Sequence, residues 1–182
     1  MNTKIRLLLI LDGFIITAFG LLGPIYAVFV QKIGGNILDA GLAFAVYSIT
    51  LGVVAYFTGK LGDKIKNQIN LLIIGQILLS IGFFSYLTVR NPTHLMFTQF
   101  ILGLGAAISY PIYDGLFSIS LDKGKQYSEW ASWTSLNFVL TGIAAIVGSF
   151  IAKSFGFTAL FITMGASSLI SLFFCLFLQN KE

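Results

Sequence analysis

The chain has 182 residues, of which 57% are hydrophobic and only 10% charged, with a formal net charge of +4. A soluble domain carries roughly a quarter charged residues. One soluble core cannot hide this much apolar surface, so the expected class is an all-α integral membrane protein. The positive charges lie in short stretches between apolar runs, which excludes a nucleic-acid footprint and makes them a topology signal.

Six apolar segments follow one another, at roughly 5–30, 37–58, 69–89, 95–119, 130–152 and 157–178. Each is long enough, at about 1.5 Å per helical residue, to cross a bilayer core of about 30 Å. Barrel strands would be about half as long and would alternate in polarity. The first run reaches Val30, too long for the apolar region of a signal peptide, and no small-x-small cleavage site ends it. It is expected to remain as a span. The short connections leave room for one domain over 1–182. Pro24-Ile25-Tyr26 in the first span recurs as Pro111-Ile112-Tyr113 in the fourth, near opposite ends of their helices. Two inverted three-helix repeats would give that placement.

Charge assigns sidedness. With six spans both termini share a side. That side carries Lys4, Arg6, Lys60, Lys64, Lys66, Lys123, Lys125 and Lys181; the other carries Lys32, Arg90 and Lys153. The excess places both termini in the cytoplasm of a multi-pass protein of the plasma (inner) membrane. Trp130 and Trp133 then start the fifth span at the inner interface, and Tyr26 and Phe29 close the first near the outer one. Proline at 24 and 111 should loosen or kink its helix. Stripes of small residues, Gly13-Thr17-Gly20-Pro24-Ala27 and Ala145-Gly148-Ala152, mark faces where helices can approach closely.

Ionisable groups inside spans cost several kcal/mol unless paired or hydrated. Two qualify, Asp12 and Asp114, at similar depth in the first and fourth spans. Asp114 continues a stripe with Gln99, Gly103, Ala107 and Tyr110 that reads as a cavity wall. The two carboxylates either face a water-filled cavity and bind a cation or proton, or sit shallow, hydrated or paired with Lys4, Arg6 or Lys123. Trp133, Asn137 and Thr141 form a polar face on the fifth span. Asn137 either touches a solute or bonds a neighbouring helix. Tyr47, Ser48 and Thr50 are weaker candidates, and Asp39 after Asn36 reads as a first-turn acid favoured by the helix dipole. Cys175 lies in an apolar run, and His94 has no second imidazole or thiol beside it. With no nucleophile–base pair, metal spacing, phosphate loop or dinucleotide fingerprint, neither a catalytic residue nor a cofactor is expected.

The turn between the second and third spans adds specificity. Gly59, Leu61, Asp63 and Lys64 resemble the G-x-L-x-D-[RK] signature of the major facilitator superfamily. Gln99 to Ala107 resembles that family's fourth-span R-x-x-x-G-x-G-a-a motif, followed by Pro111. Gly148-Ser149, then Gly156-Phe157 and Phe161, resemble its passage from the fifth to the sixth span. The resemblance implies the N-terminal six-helix half of a transporter working by alternating access. Gly59, Asp63 and Lys64 would form its cytoplasmic gate. Asp12, Asp114, Tyr110, Gln99, Asn137 and Trp133 would be the candidates to meet substrate or proton.

Three departures stand out. The family's fourth-span arginine is Gln99 here, the second half of its loop motif reads Lys66-Asn67-Gln68, and the antiporter-type Gly-Pro is Ala144-Ala145. The last argues against a drug/proton antiporter of that type. The family has twelve spans, and six present half of a central site. A homodimer, or pairing with a second six-helix half, would complete it around a small-molecule or ion substrate. The alternative is a non-transporting accessory or remnant module packed against a partner membrane protein.

Overall fold

Among the described residues, four helices are capped at their start by asparagine. The computed structural model describes residues 2–179, so Lys181 of the charge reading lies outside the described residues. The Asn2 side chain accepts from the N–H of Ile5 and opens α1 (Thr3–Leu22). Asn36 accepts from Leu38 and Asp39 and opens α3 (Ile37–Gly62), while the Asp39 carboxylate accepts from the Asn36 N–H at 2.8 Å. Asn67 opens α4 (Gln68–Ser85), and Asn91 opens α5 (Pro92–Ser120). A carboxamide oxygen satisfies N–H groups that the first helical turn leaves unbonded. Asp39 thus closes a reciprocal capping box rather than acting on the dipole alone.

The two in-span prolines behave differently. Pro24 sits in a 3₁₀ turn, Gly23–Ile25, that separates α1 from the short α2 (Tyr26–Lys32). At Pro111 the ladder loses its donor, yet α5 stays helical from Pro92 to Ser120.

The last helical stretch, α6 (Gln126–Gln179), is 54 residues long. Unbroken it would reach about 80 Å. Gly156 breaks it, with φ 85° and ψ 173°, a conformation that a residue with a Cβ does not adopt without strain. The arms on either side run in opposite senses. Trp133 meets Asp12, Ala144 meets Gly20 and Gly148 meets Leu21, so 126–155 runs parallel to α1. Phe161 meets Phe29, Ser167 meets Phe14 and Ser171 meets Leu11, so 157–179 runs antiparallel to it. Around α5 the pattern is the same. Gly35 meets Pro92, Thr50 meets Gly103 and Gly62 meets Ile112, so α3 is parallel to α5. Ser85 meets Thr98, Gly82 meets Leu102 and Gly75 meets Ser109, so α4 is antiparallel. Among the described residues five helices are long and apolar enough to cross a membrane, the last being the broken α6.

Small residues do mark the contacts, though not always those expected. The 126–155 arm touches α1 through Thr141, Ala144 and Gly148, whereas Ala145 and Ala152 are only half-buried and Ala27 is exposed. Phe29, expected at the outer interface, is buried against Tyr86 and Phe161, with ring centroids 5.9 and 4.9 Å away. Of three buried serines on the second arm, two stitch it inward. The Ser167 hydroxyl donates to the Phe14 carbonyl and that of Ser171 to the Leu11 carbonyl, each at 2.7 Å, while Ser168 donates to Gly165 within its own helix.

A Cβ on Gly148 would run into the backbone of Leu21, which cannot step aside, whereas Gly142 faces open space. Gly148→Ala should destabilise the detergent-solubilised protein by about 1–3 kcal/mol, and Gly142→Ala should leave it within about 0.5 kcal/mol. Thermal or denaturant unfolding of both variants reads the difference.

Candidate functional site

Asp12 stands midway along α1, and its Oδ2 accepts from the indole Nε1–H of Trp133 at 2.7 Å. Trp133 therefore turns its indole inward, and that indole is the hydrogen-bond partner of Asp12. Both line a cavity of about 460 Å³ between α1, α5 and the 126–155 arm. Asn137 and Thr141, one and two helical turns beyond Trp133, lie along the same wall, and Tyr110 and Asp114 of α5 face them. Phe19 and Tyr113 complete an aromatic lining. Of the six residues expected to meet substrate or proton, five share this chamber. No cationic side chain lines it among the described residues.

Tyr113 was missed as a site residue. It is only 4% exposed, and its hydroxyl has no hydrogen-bond partner among the described residues. A buried hydroxyl without a partner calls for water or a ligand. Its only sequence signal was membership in the repeated Pro-Ile-Tyr.

Gln99 lies elsewhere. Its Nε2 donates to the hydroxyls of Tyr26 at 2.9 Å and Tyr86 at 3.1 Å. This cluster lines a smaller chamber of about 210 Å³, which shares Phe19 and Gly23 with the first. Tyr47 lines the small chamber as well, while Thr50 packs on Gly103 and Ser48 is exposed. The α5 stripe is thus not one continuous cavity wall. Its middle, Gly103 and Ala107, is buried, with Gly103 pressed against the Tyr47 carbonyl and Thr50.

The proposed gate residues gather at the opposite end of the bundle from Lys32 and Arg90. Gly59 and Asp63 line a cleft of about 410 Å³ with Gln68, Pro111 and Gly115. Lys64 is exposed outside that lining. Gly62, not Gly59, is the glycine packed within this chain, against Ile112; Gly59 faces open space.

Membrane-length helices surrounding an aromatic chamber with two carboxylates define a polytopic helical membrane protein. The chain belongs to the Major Facilitator Superfamily, whose family model matches residues 8–182. It is 28% identical over 156 residues to the quinolone resistance protein NorA of Staphylococcus aureus, covering 84% of this chain. It is 30% identical over 160 residues, 86% of this chain, to the multi-drug resistance efflux pump PmrA of Streptococcus pneumoniae. The chain spans 39% of the length of each of these relatives.

Replacing Gln99 by Leu leaves the hydroxyl of Tyr86, itself 3% exposed, without its donor. Gln99→Leu should lower stability by about 1–3 kcal/mol. Adding Tyr86→Phe should recover part of that loss in a double-mutant cycle read by thermal unfolding.

Proposed function

We propose that this chain is a six-span half of a facilitator-type transporter that moves an aromatic-bearing organic cation by alternating access. The observation that carries the reading is the 460 Å³ chamber: two carboxylates, an aromatic lining and no lining cation among the described residues. Aromatic faces attract cations, more strongly when both are desolvated, and the carboxylates supply the counter-charge. Asp12 and Asp114 are also the groups able to exchange a proton for the solute, while Asn137 and Tyr110 orient it. The names of the two relatives suggest export of drug-like molecules. The Ala144-Ala145 departure argues only against one antiporter type.

Six crossings with cytoplasmic termini are supported by the reversal at Gly156 and by the charge excess of the Asp63 end. The inverted repeat is supported by pairing geometry: α1 sits on its two α6 arms as α5 sits on α3 and α4, one partner parallel and one antiparallel. A second six-helix half, from another copy or another polypeptide segment, is supported by the faces left open. The 126–155 arm exposes Phe138 at 72% and Ile146 at 74%, and α3 buries only Ala43, Thr58 and Gly62. Gly59, Asp63 and Lys64 would lock the halves at the cytoplasmic side. The accessory-module reading draws on Gln99 and Lys66-Asn67-Gln68 as departures from the motifs; protein that drives no flux in liposomes would favour it.

The test is flux of tetraphenylphosphonium in proteoliposomes. Asp12→Asn should lower it by about tenfold or more through loss of a desolvated counter-charge, while flux of a neutral aromatic of similar size changes little. Equal rates for Asp12→Asn and wild type with the cation would remove the reading.

A further inference from the structure

The chamber and the gate leave the cations of the opposite end unused. Two of these, Lys32 and Arg90, converge on one cavity of about 420 Å³, formed where α2 ends, α4 gives way to its terminal 3₁₀ turn and α6 breaks at Gly156. No carboxylate lines it among the described residues, and its walls include Phe29, Phe157 and Phe161. The Lys32 ammonium stands 5.1 Å from the centre of the Phe157 ring. That contact holds a cation at the mouth without neutralising it.

We propose that this cavity seats the phosphate of an anionic phospholipid whose acyl chains lie along α4 and the 157–179 arm. Both elements flank the cavity and present rows of exposed apolar side chains away from the bundle. On α4 the row is Ile74, Ile77 and Ile81; on the arm it is Ile162, Leu169 and Phe173. Such rows suit acyl chains and offer nothing to a water-soluble anion. The Arg90 guanidinium is a planar fork that takes two phosphate oxygens at once, and the Lys32 ammonium adds a point charge beside it. Basic pockets between membrane helices hold lipid headgroups by this combination. The charge is opposite to that of the Asp12 chamber, so the two sites do not compete for one ligand. The proposal rests on the chain crossing a membrane, not on any solute it moves.

The experiment is native mass spectrometry of the full chain extracted from vesicles of equal phosphatidylglycerol and phosphatidylcholine. The wild type should retain phosphatidylglycerol over phosphatidylcholine by about tenfold. Lys32→Gln with Arg90→Gln should abolish the preference, while Lys32→Arg should keep it. Lys60→Gln with Lys66→Gln, at the other end, should keep it too. Equal retention of both lipids by the wild type overturns the site. So does a preference that survives the Lys32/Arg90 pair, or one lost equally with the Lys60/Lys66 pair, which would mark bulk charge alone. Should the Lys32/Arg90 pair aggregate, Arg90→Gln alone serves, and an unchanged preference there also overturns the site. Tetraphenylphosphonium flux is read on the same samples; an unchanged flux with lost lipid preference supports the site independently of the transport reading.

Discussion

Leu21 and Gly148 meet backbone to backbone, and the arrangement of the bundle depends on contacts of that kind. Lipid tails are as apolar as leucine, so burial in a bilayer supplies little drive for one helix to seek another. What remains is dispersion, which falls off steeply with separation, and therefore the ability of two backbones to come close. The chain places small residues where its helices must touch: Gly20 against Ala144, Gly148 against Leu21, Gly75 against Gly105, Gly103 against Thr50. Each contact fixes a register as well as a separation. By pinning the 126–155 arm to α1, they set Trp133 beside Asp12 and bring Asn137 and Thr141 onto the same chamber wall.

Polar groups divide by whether their bonding capacity is spent. The hydroxyls of Ser167 and Ser171 donate to main-chain carbonyls of α1, and Ser171 lies 3.1 Å from the Gln76 Oε1. The one proton of each hydroxyl is committed, and these groups serve to hold helices together where water cannot. The chamber groups differ. Asp12 uses one oxygen on Trp133, and the Tyr113 hydroxyl has no partner among the described residues. On the reading proposed above, that hydroxyl is open to a polar group of the solute.

Much of this was legible in the residues, for identifiable reasons. Hydropathy over a long window reports the helices well, because the bilayer penalises any other backbone. The polar face Trp133-Asn137-Thr141 was legible because helical spacing alone puts those residues on one side. The cross-helix pairings were not. Spacing says which residues share a face but not which neighbour that face meets. Gln99 and Asp114 lie on one stripe of α5, yet Gln99 is claimed by Tyr26 and Tyr86 and Asp114 by the chamber, with the tight Gly103 contact between them. The extent of α6 was misjudged for a related reason. The 153–156 stretch reads as a loop, but Gly156 alone supplies the turn and 153–155 stay helical.

The outer surface carries its own information about what the bundle faces. The α4 and 157–179 rows are apolar, as a surface toward lipid should be. The α3 and 126–155 faces are also apolar, but they border the two chambers: Phe44 and Tyr47 line the small one, and Trp133, Asn137 and Thr141 the large one. Lipid against those rims would lie beside carboxylates and a carboxamide, an expensive neighbour for hydrocarbon. A protein surface there would shield them and still leave the chambers wet. Gly59 points the same way. Nothing among the described residues needs position 59 to lack a side chain, since the space beside it is open, while its neighbour Gly62 is packed on Ile112. On the reading proposed above, the empty space at Gly59 and the chamber rims belong to one continuous face, and that face is where the second half would pack.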